Sequence, residues 1–212
     1  VIGRATVREG VLAADIPEVL EGERTTRLIA EAEQIAVSHC YCRHKAEHLG
    51  KACDVPQEIC LSLNGGAEFV IRRGFGRPSD KTQAMGIVTK ARKLGLVQIA
   101  DNVKNEPAYV CNCCACCCGQ LSAINEFGLK AVNPSGFKPQ HNPDVCKGCS
   151  RCSRACPVAA IAMSPERAGG KRKNEMRPSF DEEVCIGCGV CATSCPQGGI
   201  TMERRAEKSH VP

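Results

Sequence analysis

Two runs of cysteine carry the most specific chemistry in this chain. Cys146-Lys-Gly-Cys149-Ser-Arg-Cys152-Ser-Arg-Ala-Cys156-Pro157 recurs 39 residues later as Cys185-Ile-Gly-Cys188-Gly-Val-Cys191-Ala-Thr-Ser-Cys195-Pro196. Both read C-x2-C-x2-C-x3-C-P, the spacing that holds paired [4Fe–4S] cubanes, with the last cysteine of each run given to the other cluster. The short spacings curl three thiolates around three corners of one cube, and the closing proline stops the helical turn that carries the remaining one. The expected ligand sets are Cys146, Cys149, Cys152 and Cys195 for one cluster, and Cys185, Cys188, Cys191 and Cys156 for the other. Gly148 and Gly187, each just before a second cysteine, suit a backbone that turns tightly close to sulfur. Zinc and disulfides require neither the duplicated spacing nor the prolines.

Ten further cysteines precede these runs. Cys40, Cys42, Cys53 and Cys60 form C-x-C-x10-C-x6-C, enough thiolates for a third centre: a cubane, with zinc or free redox thiols as the alternatives. His39 beside Cys40 is a candidate substitute ligand, while His44, His48 and His141 read as surface residues. Cys111, Cys113, Cys114, Cys116, Cys117 and Cys118 put six cysteines in eight positions. Adjacent side chains point in different directions, so four of the six are expected to hold a fourth cluster while the others pack. Alternatively the run shares ligands with the Cys40 to Cys60 group. The expectation is four [4Fe–4S] clusters in total.

Eighteen cysteines in 212 residues would suit a disulfide scaffold only in a short secreted chain. Clustered as they are, they argue for metal and for a reducing, anaerobic compartment. With no Trp, two Tyr and five Phe, the clusters are expected to supply cross-links that aromatic packing supplies elsewhere. The formal charge of +5 counts every cysteine as neutral. An oxidised cubane with its four thiolates adds roughly −2, so two clusters bring the sum to about +1 and four to about −3. The basic balance is therefore no argument for nucleic acid. No run approaches the roughly 18 apolar residues of a membrane span. Arg4, Arg8 and Glu9 interrupt any signal peptide, although a start at Val1 rather than Met raises the expectation of an earlier segment.

These cysteines need elements to hold them. Residues 1–22 read as an extended arm, and 25–37 as a helix with Leu28, Ala32, Ile35 and Ala36 on one face. Pro56 suits the first turn of a short helix to about Leu63, and Phe69 to Ile71 a brief strand. Ser79 or Asp80 can cap a helix from Lys81 to Leu94 that stops at Gly95. Leu96 to Ile99 reads as a strand. The run Gly74-Phe-Gly76-Arg-Pro-Ser79 mimics a dinucleotide fingerprint but lacks its third glycine, and a plain turn before a capped helix explains it better. A linker with Pro134, Gly136, Pro139 and Pro143 separates a cysteine-rich domain, 1–136, from a two-cluster domain, 137–212. The latter carries an insertion at 164–179 with the basic run Lys171-Arg-Lys173, read as a solvated turn, and a charged tail from Glu203.

The combination of Cys40-Tyr-Cys42-Arg43, Lys51-Ala-Cys53-Asp54-x-Pro56-x-Glu58-x-Cys60-Leu61, Gly95-Leu96-Val97, Cys111-Asn-Cys113-Cys114 and the paired runs resembles the dicluster-ferredoxin-type proteins of anaerobic bacteria, over residues 35–210. The resemblance implies a cytoplasmic multi-cluster electron carrier, working as a subunit beside larger redox enzymes. The fold class expected is α+β, a two-[4Fe–4S] ferredoxin-like domain behind a mainly helical cysteine-rich domain. The function expected is relay of low-potential single electrons between a donor and a larger catalytic subunit containing flavin, molybdenum, tungsten or clusters. No catalytic residue is assigned, and neither nucleic acid nor a membrane is an expected partner. Two rivals remain: an enzyme with a non-standard cluster at Cys111–Cys118, and an iron–sulfur redox sensor.

Overall fold

The computed structural model describes residues 2–12, 24–165 and 176–206. Seven strands in the first two thirds of the chain form one sheet: β1 (Gly3–Ala5), β2 (Ile35–His39), β3 (Glu58–Leu63), β4 (Gly76–Ser79), β5 (Val97–Asp101), β6 (Tyr109–Cys113) and β7 (Val132–Asn133). Their order is β4-β2-β3-β6-β5-β1-β7. Every pairing is antiparallel except that of β1 with β7. Five helices accompany the sheet: α1 (Thr25–Glu31), α2 (Tyr41–His48), α3 (Asn64–Arg72), α4 (Lys81–Lys93) and α5 (Gly119–Phe127).

The expectation of a mainly helical first domain is thus corrected: its helices are organised around a sheet. The physical reason lies in burial on both faces. β3 is buried at every position from Ile59 to Leu63, so its sequence shows no polar–apolar alternation, and two-sided burial hides the strand period. The helix expected after Pro56 is this strand. The helix expected over 25–37 divides in two. Leu28, Ile29 and Ala32 follow helical spacing, whereas Ile35 and Val37 alternate as strand residues into the same apolar cluster. The switch falls at Glu33, whose N–H is donated to Asn64 Oδ1 at 3.0 Å instead of continuing the helix. Phe69 to Ile71, expected as a strand, lie in α3. The α4 expectation matches closely: Asp80 Oδ1 accepts from Gln83 N at 2.7 Å, and Gly95 follows with φ +75. Gly76 to Ser79 form the edge strand β4, and helix α3, not a strand, lies directly before them, so the dinucleotide order is absent from these residues.

The two faces of the sheet have different work. One face places Leu61, Leu63, Ala100 and Val110 against Leu28 and Ile29 of α1 and Ala84 and Val88 of α4. The other presents Ala5, Val97, Ile99 and Cys113 to Leu121 of α5, and beyond it to Val158, Ala160, Ile186, Cys188 and Val190. The cysteine-bearing face is therefore covered by the second part of the chain. That part contains β8 (Phe137–His141), α6 (Arg151–Ala155), β9 (Ile161–Pro165), β10 (Met176–Phe180), α7 (Val190–Thr193) and β11 (Ile200–Arg204). β9 pairs with β10 and β8 with β11, both antiparallel.

Segments expected as arm and linker fasten this junction. Residues 3–5 are a sheet strand. Arg8 N donates to Cys188 O, while the Arg8 guanidinium reaches Leu96 O at 2.9 Å and Thr193 Oγ1. In the expected linker, Ser135 N donates to Ile186 O, its hydroxyl to Gly187 O, and Phe137 is fully buried. The expected insertion includes β10 and the end of β9. Its basic run, Lys171-Arg-Lys173, lies outside the described residues, as does the tail beyond residue 206. No described helix is long and apolar enough to cross a membrane.

Candidate metal centres

In the second half, each C-x2-C-x2-C run is a loop leading into a one-turn helix, α6 or α7, whose N-cap residue (Ser150 or Gly189) has left-handed φ. Such a loop turns successive thiols inward. Gly148 (φ +63) and Gly187 (φ +68) make the turns, and a Cβ on Gly148 would sit 2.7 Å from Met176 O. On Gly187 it would overlap Phe137 O. Cys146, Cys149, Cys152 and Cys195 line one cavity of about 20 Å³. Cys188 and Cys191 feel the charges of Cys185 and Cys156.

Backbone N–H groups point at the sulfurs. Gly148 N donates to Cys146 Sγ at 3.5 Å, Ala160 N to Cys156 Sγ at 3.3 Å and Gly199 N to Cys195 Sγ at 3.3 Å. Such N–H···S bonds stabilise thiolate and tune cluster potential. Burial pushes Cys152, Cys156 and Cys185 up, and Cys188 up to about 12. As bare groups these would hold protons, and a cationic iron core is what lets them bind as thiolates.

The ten N-terminal cysteines divide differently from their order in sequence. Cys53, Cys114, Cys116 and Cys117 bring their sulfurs within 4.8 Å of one another, a set fit for one metal centre. Cys53 comes from the loop after α2, and the other three from the turn between β6 and α5. The sequence-based set of Cys40, Cys42, Cys53 and Cys60 is thereby split. Cys40, Cys42 and Cys60 instead join Cys111, Cys113 and Cys118. Neighbouring thiols in this set shift one another's pKa in a series that runs from Cys40 to Cys60, then Cys111, Cys113 and Cys118, and ends at Cys42. All six line a cavity of about 180 Å³, together with Cys114 and Cys117 of the first set and with Tyr41 and Tyr109.

Sheet geometry explains this second set. Cys111 and Cys113 are two apart on β6 and share the face opposite Val110 and Asn112. Val110 opposes Leu61 across β3, which sets Cys60 beside Cys111. Cys40 N is bound to Gln57 O, which seats the start of α2 over the end of that strand. Cys118 is the N-cap of α5. Hydrogen bonds from Cys113 and Cys42, with the N–H groups of Leu121 and Gln120, pull it down to about 3 against its burial.

One charged residue stands between the two sets. Arg43 is only 1% exposed. Its guanidinium donates to Pro56 O at 3.1 Å and Cys114 Sγ at 3.2 Å. Burial opposes its charge, yet bonds to Cys53 and Cys114 hold its pKa above the ordinary value. In return, Cys53 lies at about 6: burial pushes it up, but the Val55 N–H and Arg43 outweigh that. Sequence reasoning missed Arg43 as a site residue. Its one signal was a charge directly after Cys42. His39, exposed and 3.9 Å from Glu58, also lines the cavity of the six-thiol set.

Shared packing connects the four sets. Cys152 and Cys195 lie in one apolar cluster with Cys156 and Cys191. Cys156, Cys185 and Cys188 lie in another with Cys111, Cys113 and Cys118. Cys40, Cys42, Cys60 and Cys111 share a third with Cys114. No curated protein matches the chain. Residues 145–199 match the family described as the 4Fe-4S dicluster domain; over that segment the chain is an iron–sulfur electron-transfer module for two [4Fe–4S] clusters.

Proposed function

We propose that this protein is an electron-transfer subunit that relays low-potential single electrons through four iron–sulfur centres to or from a larger catalytic partner. Two centres are the crossed cubanes, one on Cys146, Cys149, Cys152 and Cys195 and one on Cys185, Cys188, Cys191 and Cys156. The third is held by Cys53, Cys114, Cys116 and Cys117, and the fourth by the six-thiol cavity. Domains 1–136 and 137–212 each contribute two.

The observation that carries this reading is the order of the four sets. Each shares an apolar cluster with the next, so the centres follow one another as a line rather than standing apart. The sets at the two ends include the exposed Cys149 and Cys116, whereas the middle sets include the buried Cys188, Cys191, Cys113 and Cys118. A line with exposed ends and a buried middle suits entry at one end and exit at the other. The bound clusters supply one-electron chemistry. The chain's own residues space the centres, exclude water and direct N–H groups and Arg43 at sulfur. A cytoplasmic, anaerobic setting and a partner bearing flavin, molybdenum, tungsten or clusters follow as parts of the proposal.

The test is iron and acid-labile sulfide per chain on anaerobically purified protein, followed by electron exchange with artificial carriers. Iron of about 16 per chain or more, with rapid exchange and no turnover of organic substrates, is the expected result. About 8 would confine iron to the second half and overturn the four-centre reading. A second reading, an enzyme, draws on the cavity of about 180 Å³ that the exposed Tyr41 helps to line. Turnover by the isolated chain would establish it in place of the relay.

A further inference from the structure

A cubane has four irons and takes one terminal thiolate on each. Eight cysteines line the N-terminal cavity, and once Cys114 and Cys117 are counted with Cys53 and Cys116, six thiols remain, two more than a cubane can use. They are not surplus from the neighbouring set, because Cys53, Cys114, Cys116 and Cys117 already converge as a complete group of four. Nor do the six fall into four ligands and two bystanders: every member lines the same cavity, the β3–β6 register sets Cys60 beside Cys111, and neighbouring side chains interact in one series from Cys40 to Cys42. The cavity, at about 180 Å³, is also far larger than the one of about 20 Å³ lined by Cys146, Cys149, Cys152 and Cys195.

Resting on the reading of the first half as an iron–sulfur domain, we propose that this cavity holds a single centre larger than one cubane, ligated by all six of Cys40, Cys42, Cys60, Cys111, Cys113 and Cys118. The series divides at β6 into two triples: Cys40, Cys60 and Cys111, then Cys113, Cys118 and Cys42. Cys111 and Cys113 stand two residues apart on one strand face, which separates their Cα atoms by about 6.8 Å. Two four-iron halves fit this arrangement side by side. Each takes three thiolates, and the fourth iron of each takes a shared bridging sulfide in place of a fourth thiolate. That uses six thiolates and leaves none over. Such a centre offers the relay a buried store between its one-electron cubanes.

The test uses the full chain, purified anaerobically, with iron and sulfide counted and Mössbauer and EPR spectra recorded for the wild type and for six single Cys→Ala variants. The inference expects about 20 irons per chain and the same spectral component altered by every one of the six substitutions, with Cys116→Ala altering a different component. About 16 irons, with any two of the six variants spectrally silent, would mean one cubane and two spare thiols and would overturn it. About 12 would leave the cavity without iron and overturn it as well, while about 8 would overturn the iron–sulfur reading of the whole first half. The wild-type count decides the matter even where a variant fails to fold.

Discussion

Arg43 Nη2 donates to Cys114 Sγ at 3.2 Å, joining residues 71 apart in sequence through a side chain that is almost wholly buried. A buried guanidinium needs polar or anionic partners, and here those partners are Pro56 O and the sulfurs of Cys114 and Cys53. A nearby cation favours the reduced, more negative state of a cluster. Arg43→Gln should therefore lower the midpoint potential of the Cys53, Cys114, Cys116 and Cys117 centre by on the order of 50 mV, with Arg43→Lys lying between it and wild type. Redox titration followed by EPR measures this. An unchanged potential at full iron content would show that Arg43 serves structure alone.

The crossed ligand scheme predicts damage at a distance in sequence. Cys195 lies in the second run but lines the cavity of Cys146, Cys149 and Cys152. Cys195→Ala should abolish or convert the cluster of the first run and leave that of Cys185, Cys188 and Cys191 intact. Spectra in which only the latter cluster suffers would rule the crossing out.

Gly187 is a structural hinge of the second cluster. Its φ of +68 and the overlap of any Cβ with Phe137 O leave no room for a side chain. Gly187→Ala should cost about 2 kcal/mol or more, read as a lower thermal midpoint, and should weaken iron retention at Cys185 and Cys188. The control is Gly86→Ala, where a Cβ meets nothing within 4 Å. It sits within α4, so a stabilisation of up to about 1 kcal/mol is expected there.

Metal removal should unfold the chain. Apolar clusters at the junction include cysteines, Cys113, Cys118 and Cys188 in one and Cys152 and Cys191 in another. Without iron these become repelling thiolates or weakly bonded thiols, and binding free energy is lost from folding free energy. Anaerobic chelation should abolish the cooperative thermal transition seen by circular dichroism. A cluster-free chain that kept that transition would refute the idea.

Local spacing by itself determined the two-cluster module, since the ligands of each run lie within eleven residues of one another and a loop and one helical turn suffice to aim them. It likewise determined α4, whose cap at Asp80 and stop at Gly95 are both local signals. The N-terminal thiol sets were legible only as an abundance of cysteines. Their grouping depends on which strand lies beside which, and β3 and β6 meet across 45 intervening residues. Because a strand alternates faces, register decides that Cys60 joins Cys111 and Cys113, while a turn carries Cys114, Cys116 and Cys117 away toward Cys53. Two-sided burial erased the alternation that would have announced β3, so the sheet, the burial of Arg43 and the division of ten cysteines into four and six were decided by tertiary structure.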